Sequence, residues 1–252
     1  MRIIVIGGTG LIGSKLIARL QEHGHEGVAA APNTGVNTLT GEGLAEVMVG
    51  ADVVVDVSNS PSFADDDVLD FFTRSTTNLL AAEKVAGVGH HVALSIVGTD
   101  RLPASGYLRA KVAQEKLIRE GGVPFSIVHA TQFYEFTDAI AHAATVGDEV
   151  HLSTGYFQPM AADDVVAALG PVVVGGPLGG IQEVGGPVRV RMSDFVAAAL
   201  AAKGDSRTVV ADARATYFGA VLTGDELVPG PDAHLGATTY EDWASAQVVP
   251  AG

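Results

Sequence analysis

The sequence predicts an α/β fold built on a doubly wound parallel sheet, and two observations support that prediction. Short apolar runs alternate with segments whose apolar residues recur three or four positions apart, which is the spacing of a helix. The apolar runs are continuous rather than alternating with polar residues, which is typical of strands buried on both faces. This rhythm indicates βαβ units and places a ligand site at the carboxyl ends of the strands.

Five strands and the helices between them can be predicted over the first half of the chain. The predicted strands are short apolar runs at 3–6, 28–31, 53–57, 91–95 and 125–128. The predicted helices have helical apolar spacing and cover 11–23, 43–49, 64–85 and 107–119. Gly24 ends the first helix and Pro32 ends the second strand. The acidic run 65–67 suits the start of the longest helix, because its positive dipole end favours carboxylates.

Beyond about Thr131 the pattern loosens. Helices are predicted at 137–145 and 193–202 and short strands near 150–152 and 188–190, separated by stretches rich in glycine and proline. We therefore predict one domain over 1–252. A core at about 1–130 contains the sheet, and a smaller lobe at about 131–252 lies over its ligand edge on the substrate side.

Composition excludes several classes of function. The net charge of −14 argues against nucleic acid and anionic membranes as partners, since both attract basic surfaces. No cysteine is present, so disulfides, thiolate catalysis and cysteine-based metal sites are excluded. The eight histidines show no ligand spacing, and we expect no metal. Without a secretory signal pattern or an apolar run of ~18 residues, the expected compartment is the cytoplasm.

A glycine turn follows the first predicted strand. The segment 7–13 fits the pattern G-x-x-G-x-x-G and opens the first helix. Gly7 permits a tight turn, Gly10 lets the backbone approach a pyrophosphate, and Gly13 lets the helix pack closely on the strand. The helix N-terminus then faces the negative charge. Because the alternative of a merely flexible turn does not explain this placement, we predict a Rossmann-type site for a nicotinamide dinucleotide.

The cofactor site takes residues from three strand ends. In the glycine turn they are Gly7, Thr9, Gly10, Leu11, Ile12 and Gly13. After the second strand, Asn33 and Thr34 stand where an NAD site usually has an acidic residue on the ribose 2′-hydroxyl. No carboxylate there would repel a 2′-phosphate, so NADP(H) is the expected cofactor and NAD(H) the alternative. Ser58 and Asn59, after the third strand, are assigned to the same site.

Three further residues suggest proton chemistry. Tyr107 and Lys111 are four positions apart, on one face of a predicted helix. An ammonium beside a phenol favours the phenolate and lowers its pKa, and Lys111 also suits a bond to the nicotinamide ribose. Ser95, at the carboxyl end of the fourth strand, is placed to bond a substrate carbonyl oxygen. The alternative is an ordinary amphipathic pair and a strand-end serine.

These segments together resemble the atypical short-chain dehydrogenases/reductases of the NmrA-like, NAD(P)H-binding branch. The segments that carry the resemblance are 7–13, 78–82 with 87–88, 92–95, 107–111, 130–135, 158–159 and 162–165. The resemblance implies that Tyr107 is the acid/base, Lys111 its partner and Ser95 the carbonyl-positioning hydroxyl. It also implies that Thr131 to Phe133 line the nicotinamide end, and Thr131 and Phe133 are therefore assigned to the cofactor. The family's usual arginine near the end of the second strand is missing.

The leading functional prediction is an NAD(P)H-dependent oxidoreductase that acts on a carbonyl or alcohol of a small, mostly apolar molecule. Several members of the branch have lost catalysis, so a redox sensor that binds the dinucleotide is the alternative. A sugar-nucleotide epimerase or dehydratase is a third hypothesis, which a short C-terminal half disfavours. Besides a small-molecule substrate, a homodimer is the one partner considered. Phe133, Tyr134 and Phe136 are candidates for a pocket wall or for core, whereas the segments 217–219 and 240–243 are candidates for a cover over the pocket or for a subunit contact.

Overall fold

The computed structural model describes residues 1–247 and contains fourteen strands and eight α-helices in that part of the chain. The strands are β1 (Arg2–Ile6), β2 (Glu26–Ala30), β3 (Val53–Asp56), β4 (His90–Ile96), β5 (Phe125–Ala130), β6 (Thr145–Val146), β7 (Glu149–Leu152), β8 (Tyr156–Phe157), β9 (Ile181–Gly185), β10 (Val190–Arg191), β11 (Thr208–Ala211), β12 (Thr216–Tyr217), β13 (Ala220–Val221) and β14 (His234–Leu235). The helices are α1 (Leu11–Glu22), α2 (Leu44–Val47), α3 (Asp65–Ala86), α4 (Gly106–Glu120), α5 (Thr137–Ala143), α6 (Ala162–Val174), α7 (Met192–Ala202) and α8 (Tyr240–Gln247).

The centre is a seven-stranded sheet in the order β14-β9-β5-β4-β3-β1-β2, with every neighbouring pair parallel. Successive residues of β1 face opposite layers, as its unbroken apolar run predicts. Ile3 and Val5 pack with α1 and α6, whereas Ile4 and Ile6 pack with α2 and α3. The predicted doubly wound α/β fold is therefore confirmed.

The chain reverses its winding direction at β1. From β1 it crosses to β2 on one side, and then returns to place β3 on the other. At such a switch point the two crossover connections leave in opposite directions and open a crevice outside the carboxyl ends of the strands. The glycine turn follows β1, and Ser58 and Asn59 follow β3. The fold itself thus brings these two predicted segments to one edge.

The second half of the chain forms a lobe of short sheets and also extends the main sheet. The small sheets pair β8 with β10, β7 with β6 and β11, and β12 with β13. The two strands β9 and β14 were missed by the sequence prediction, and they lengthen the parallel sheet beyond β5. The predicted strand near 188–190 is β10. None of the helices within residues 1–247 combines the length and apolar character needed to cross a bilayer.

The two adjacent histidines of β4 lie on opposite faces, as successive residues of a strand do. His90 Nε2 lies 2.8 Å from Ser126 Oγ, while His91 Nδ1 lies 2.7 Å from Glu83 Oε1 on α3. Both members of the Glu83–His91 pair are fully buried. Burial alone lowers the pKa of His91, but the charge and hydrogen bond of Glu83, helped by Asp56, raise it overall. The pair therefore fastens α3 to the sheet, and it does so more strongly when His91 is protonated.

Because the pKa of His91 is raised in the folded protein, the stability that the Glu83–His91 pair contributes depends on pH. The stabilisation is complete below the unfolded pKa of ~6.5 and is lost as pH rises through the higher folded value. We expect Glu83→Gln to lower the free energy of unfolding by about 3 kcal/mol at pH 6 and by less at pH 9. Urea unfolding at both pH values measures this, with the exposed Glu22→Gln as control. A deficit that grows with pH would contradict the assignment.

Candidate active site

The glycine turn is a backbone cradle in which Gly7, Gly8 and Gly13 leave no room for a side chain. Gly7 has φ +76°, and a Cβ built on it would lie 2.9 Å from Ser58 Cα across the crevice. A Cβ on Gly8 would lie 2.7 Å from Ala29 Cα, and one on Gly13 only 2.3 Å from the Gly7 carbonyl oxygen. The turn is therefore pressed against its neighbours on three sides, which explains three of its glycines.

Gly10 is different, because it borders open space. A Cβ there would meet the Gly7 carbonyl oxygen at 3.2 Å and no other surrounding atom of the described chain within 4 Å. Gly10 is also the N-cap of the twelve-residue α1, whose first turn has neither a side-chain cap nor an acidic residue. The first-turn amides of an α-helix lack intrahelical acceptors and carry positive partial charge. This cradle fits a pyrophosphate, held by the amides of Leu11, Ile12 and Gly13.

The residues after β2 divide into one that faces the cradle and one that does not. The hydroxyl of Thr9 donates to Asn33 Oδ1 at 3.2 Å, and both side chains are exposed. The hydroxyl of Thr34 instead accepts from the Ala31 amide at 2.9 Å and lies within bonding distance of the Ala29 and Ala31 carbonyl oxygens. Thr34 therefore closes the strand end, whereas Asn33 stays exposed beside the cradle, where it could meet an adenine ribose.

A buried polar chain links β3 to α4 beneath the crevice. Asp56 is 1 % exposed, and its Oδ1 accepts from the amide and the hydroxyl of Ser58 at 3.0 and 2.6 Å. Its Oδ2 accepts from Gln114 Nε2 at 3.0 Å, and Gln114 Oε1 accepts from Lys111 Nζ. Sequence reasoning missed Asp56 and Gln114. An ionisable residue at the end of the apolar run 53–57 was the available signal.

Lys111 is turned into the protein rather than toward a ligand. Its Nζ also donates to the Leu94 carbonyl at 3.0 Å and lies 4.4 Å from the centre of the Phe72 ring. Burial lowers the pKa of Lys111 to about 8, against the opposing charges of Asp56 and Glu115. In this arrangement the ammonium is committed to protein acceptors. Its predicted contact with a nicotinamide ribose would require a different rotamer.

Tyr107 stands at the crevice, in the first turn of α4. Its hydroxyl donates to Asn59 Oδ1 at 2.9 Å, and its ring stacks on Phe218 with 5.1 Å between centroids. Phe63 lies at 5.6 Å on the same ring. Burial raises the pKa of Tyr107 to about 12. The expectation that Lys111 lowers this pKa is not met, because the ammonium is directed at Leu94 and Gln114 while the phenol is bonded to a neutral amide.

Ser95 is not brought together with Tyr107. Its hydroxyl donates to Glu115 Oε1 at 2.6 Å, and the same oxygen lies 2.8 Å from His129 Nε2. Glu115 follows Tyr107 by eight residues on α4, which is ~12 Å along the helix axis. Ser95 shares its strand face with Ala93, which packs under Ile118 of α4. Side-chain alternation along β4 therefore directs Ser95 toward Glu115 and away from Tyr107, and its role in positioning a substrate carbonyl stays a prediction.

Ser95 instead supports a buried carboxylate. Burial alone would raise the pKa of Glu115, but hydrogen bonds from His129 and Ser95, with the charge of Lys111, hold it below its usual value. Glu115 and His129 also line a separate open groove of about 550 Å³ beside α4. The groove does not include Tyr107 or the glycine turn in its lining.

In the segment after β5, Thr131 supports the fold, and Gln132 and Phe133 border the site. The hydroxyl of Thr131 donates to the Gln158 carbonyl at 2.6 Å and is buried, so it ties the segment to the lobe. Phe133 is half-buried and stacks on the exposed Phe136 at 5.6 Å. Gln132, between Thr131 and Phe133, is 7 % exposed, and neither of its amide atoms completes a hydrogen bond within residues 1–247.

The aromatic candidates separate into pocket wall and core. Tyr217 and Phe218 belong to the hairpin of β12 and β13, and burial and the nearby Tyr107 phenol raise the pKa of Tyr217. Tyr134, by contrast, is 3 % exposed and packs with Tyr240 and Trp243 of α8. The tail helix therefore completes the core of the lobe, and the 217–218 hairpin covers Tyr107.

Comparison with known proteins places this site in a family. The family model described as the NAD dependent epimerase/dehydratase family matches residues 3–134, which is 132 of 252 residues. Among curated proteins, the photosystem II assembly factor Ycf39 of Synechocystis is 23 % identical over 149 residues. That match covers 54 % of this chain and 46 % of the relative, so the chain spans about half the length of the curated protein.

Solved structures match the fold over nearly the whole chain. MoeE5, in complex with UDP-glucose and NAD, has a TM-score of 0.76 at 18 % identity, covering 99 % of this chain and 100 % of that one. The dTDP-glucose 4,6-dehydratase DesIV of Streptomyces venezuelae, with NAD and TYD bound, has a TM-score of 0.76 at 18 % identity and covers 98 % and 95 %. A short-chain dehydrogenase/reductase superfamily protein of Agrobacterium tumefaciens with bound NAD has a TM-score of 0.73 at 16 % identity and covers 98 % and 95 %.

These lengths correct one argument made from the sequence. The match to MoeE5, a protein solved with UDP-glucose and NAD, covers both chains from end to end, so the length of the C-terminal half does not distinguish the two proteins. An argument against a sugar-nucleotide enzyme has to come from the chemistry of the lobe and the crevice.

The placement of Ser95 makes a testable distinction. We expect Ser95→Ala to lower the free energy of unfolding by about 1–2 kcal/mol, because the buried Glu115 carboxylate loses a donor. Dinucleotide affinity should stay within twofold of wild type. Urea unfolding and calorimetric titration measure the two quantities, with the exposed Ser14→Ala as control. Unchanged stability together with a large loss of affinity would place Ser95 in the ligand site after all.

Proposed function

The chain belongs to the NAD-dependent epimerase/dehydratase family, and on that premise we propose that it is a nicotinamide-dependent oxidoreductase. The proposed reaction interconverts a carbonyl and an alcohol on a small, mostly apolar substrate. The same proposal includes the cytoplasm as its compartment, a homodimer as its assembly, and membership of the NmrA-like branch.

One observation carries the proposal: a phenol is connected through two residues to the pyrophosphate cradle. Tyr107 donates to Asn59, which follows Ser58, and Ser58 packs against Gly7. The candidate proton donor therefore stands at the carboxyl ends of β1 and β3, where a doubly wound sheet binds its ligand. No longer-range motion has to be invoked to bring the two together.

The residues of this chain can perform the proton half of such a reaction. A bound nicotinamide supplies or accepts the hydride. With its pKa at about 12, Tyr107 keeps its proton at neutral pH. In carbonyl reduction the substrate carbon gains the hydride and its oxygen gains a proton, which the protonated Tyr107 is able to donate. The phenolate regains a proton from solvent beside the exposed Asn59.

The buried chain beneath Tyr107 has a positioning role in this proposal. Asp56, Gln114 and Lys111 tie the second and third turns of α4 to the ends of β3 and β4. This cross-link holds the Tyr107 backbone at a fixed distance from the crevice. The charge of Lys111 is compensated inside the protein, so it acts on substrate only at a distance.

Two other functions are less favoured. A non-catalytic redox sensor has no support in the described geometry, which keeps a polar phenol at the crevice. Sugar-nucleotide modification is a second candidate, because MoeE5 and DesIV match the chain along its length. Against it, the side chains around Tyr107 are uncharged: Asn59, Phe63, Phe72, Tyr217 and Phe218. Calorimetric titration with UDP-glucose distinguishes this candidate from the first.

The proposed role of Tyr107 predicts a separation of turnover from binding. We expect Tyr107→Phe to lower kcat for NADH- or NADPH-dependent ketone reduction at least 100-fold, because the reaction loses its positioned proton donor. Dinucleotide affinity should stay within threefold. Steady-state absorbance at 340 nm and calorimetry measure these, and Tyr156→Phe, a half-buried tyrosine of the lobe outside the crevice, is the matched control. Largely intact turnover would remove Tyr107 from the mechanism.

The preference for NADP(H) stays a prediction, which Asn33 can test. The solved structures named above contain NAD, whereas the end of β2 in this chain has no carboxylate beside Thr9 and Asn33. We expect Asn33→Asp to weaken NADPH binding at least tenfold and to leave NADH binding unchanged or tighter, because the new charge repels the 2′-phosphate. Asn37→Asp makes the same charge change elsewhere and should alter neither. Equal weakening of both dinucleotides would show that Asn33 does not face the ribose.

A further inference from the structure

Gln132 holds two hydrogen-bonding atoms that the fold does not use. It follows β5 at the carboxyl edge of the sheet and is 7 % exposed, yet neither Oε1 nor Nε2 completes a hydrogen bond within residues 1–247. Burying an amide without partners costs free energy, so buried glutamines are normally bonded. Such an exception calls for an explanation, and a ligand that supplies the missing partners is one.

Gln158 provides the comparison inside the same molecule. It is 8 % exposed, and its Nε2 donates to the Gly186 carbonyl at 2.7 Å. The two glutamines lie on neighbouring segments, joined where the Thr131 hydroxyl meets the Gln158 carbonyl. One amide is therefore used to hold the lobe, and the other is left available at the same depth.

The surroundings of Gln132 connect it to the candidate proton donor. The phenol of Tyr217 lies close to the Gln132 amide and to the phenol of Tyr107, but no hydrogen bond of normal geometry joins it to Gln132. Phe218 is stacked on the Tyr107 ring, and Phe63 contacts both rings at 5.6 and 5.5 Å. The result is an apolar aromatic wall with polar atoms at its edge.

The hairpin that provides this wall is locally strained. Phe218 has φ +47° and is the sole residue other than glycine with positive φ within residues 1–247. A bulky residue in this region costs free energy, and such positions concentrate at ligand sites. Its ring stays 41 % exposed while it stacks on Tyr107. The strain is consistent with a ring held at the mouth of a pocket rather than in the core.

We propose that Gln132 and the Phe218 hairpin together select the substrate, and that they select an uncharged aromatic ketone carrying a second hydrogen-bonding group. The ring lies along the Phe63–Phe218 wall, the reacting carbonyl meets Tyr107, and the second group pairs with the Gln132 amide. This inference rests on the proposed function, because it assigns the substrate class of the same site. A nucleoside diphosphate is disfavoured as substrate, because the aromatic wall offers no charged side chain to pair with its phosphates.

The test compares acetophenone with the three isomers of ring-hydroxylated acetophenone. It uses the 252-residue chain with NADH or NADPH. We expect wild type to favour at least one hydroxyacetophenone over acetophenone by tenfold or more in kcat/KM, since a site built to bond a hydroxyl rejects the analogue without one. Gln132→Met, which keeps the volume, should reduce that preference to below threefold. Gln158→Met should keep the preference.

A stability measurement separates recognition from support of the fold. If the Gln132 amide is unused in the free protein, Gln132→Met should melt at the same temperature as wild type or higher. Gln158→Met should melt lower, because its bond to Gly186 is lost. A Gln132→Met protein that melts as low as Gln158→Met, or one that keeps the hydroxyl preference, would overturn the assignment.

The outcomes also separate this inference from the proposed function. Dinucleotide binding with turnover of other ketones, but no hydroxyl preference, would sink the inference and leave the proposed function standing. Gln132-dependent binding of a hydroxyacetophenone, seen by ligand-detected NMR without any turnover, would support the inference and contradict the proposed function. Binding of UDP-glucose at micromolar levels would contradict the assigned substrate class.

Discussion

Close packing of three backbone segments at the end of β1 is the constraint on which the site depends. The turn at 7–13 touches β2 at Ala29, the segment after β3 at Ser58, and its own helix at Gly13. Any side chain at Gly8 or Gly13 would push these segments apart. Because the contacts are backbone to backbone, the first-turn amides of α1 and the residues after β3 keep a fixed relation. Tyr107, the proposed proton donor, reaches the same place through Asn59.

A second layer of buried polar groups keeps α4 in register with this crevice. Asp56, Gln114 and Lys111 join β3, β4 and α4, and Ser95, Glu115 and His129 join β4, α4 and β5. Buried charges are costly unless they are paired and hydrogen-bonded, and here each of these ionisable groups has a partner. The two networks have different surroundings. The first lies under the crevice, and the second opens on the groove beside α4.

The sequence predicted most of what the local pattern determines. Continuous apolar runs identified β1 to β5, and the glycine spacing after β1 identified the cradle before any contact was known. It did not predict β9 or β14, since Ile181–Gly185 is half polar and follows a glycine-rich stretch, and His234–Leu235 has only two residues. The edge of β5 offers hydrogen bonds to β9, and the edge of β9 offers them to β14, which is a tertiary effect.

Side-chain direction was the other limit. Ser95, Tyr107 and Lys111 have the order and spacing of a reactive set, yet alternation along β4 turns Ser95 toward Glu115. The partners of Lys111 lie at the ends of two different strands, so its direction depends on contacts distant in the sequence. The pKa of Tyr107 also depends on contacts distant in the sequence. Burial, with Phe218 stacked on the ring, raises this pKa, and Lys111 does not lower it. Gln132 stood within a segment assigned to the nicotinamide end, but its unused amide could be recognised only from its surroundings.

The most direct test of the account is calorimetric titration of NADH and NADPH into wild type and Gly10→Ala. Gly10 is the one glycine of the cradle whose Cβ would enter the space left for a pyrophosphate, with contact at 3.2 Å to Gly7. The account predicts micromolar binding of at least one dinucleotide to wild type and at least tenfold weaker binding to a variant that still unfolds cooperatively. The absence of binding at millimolar dinucleotide in folded wild-type protein would contradict it.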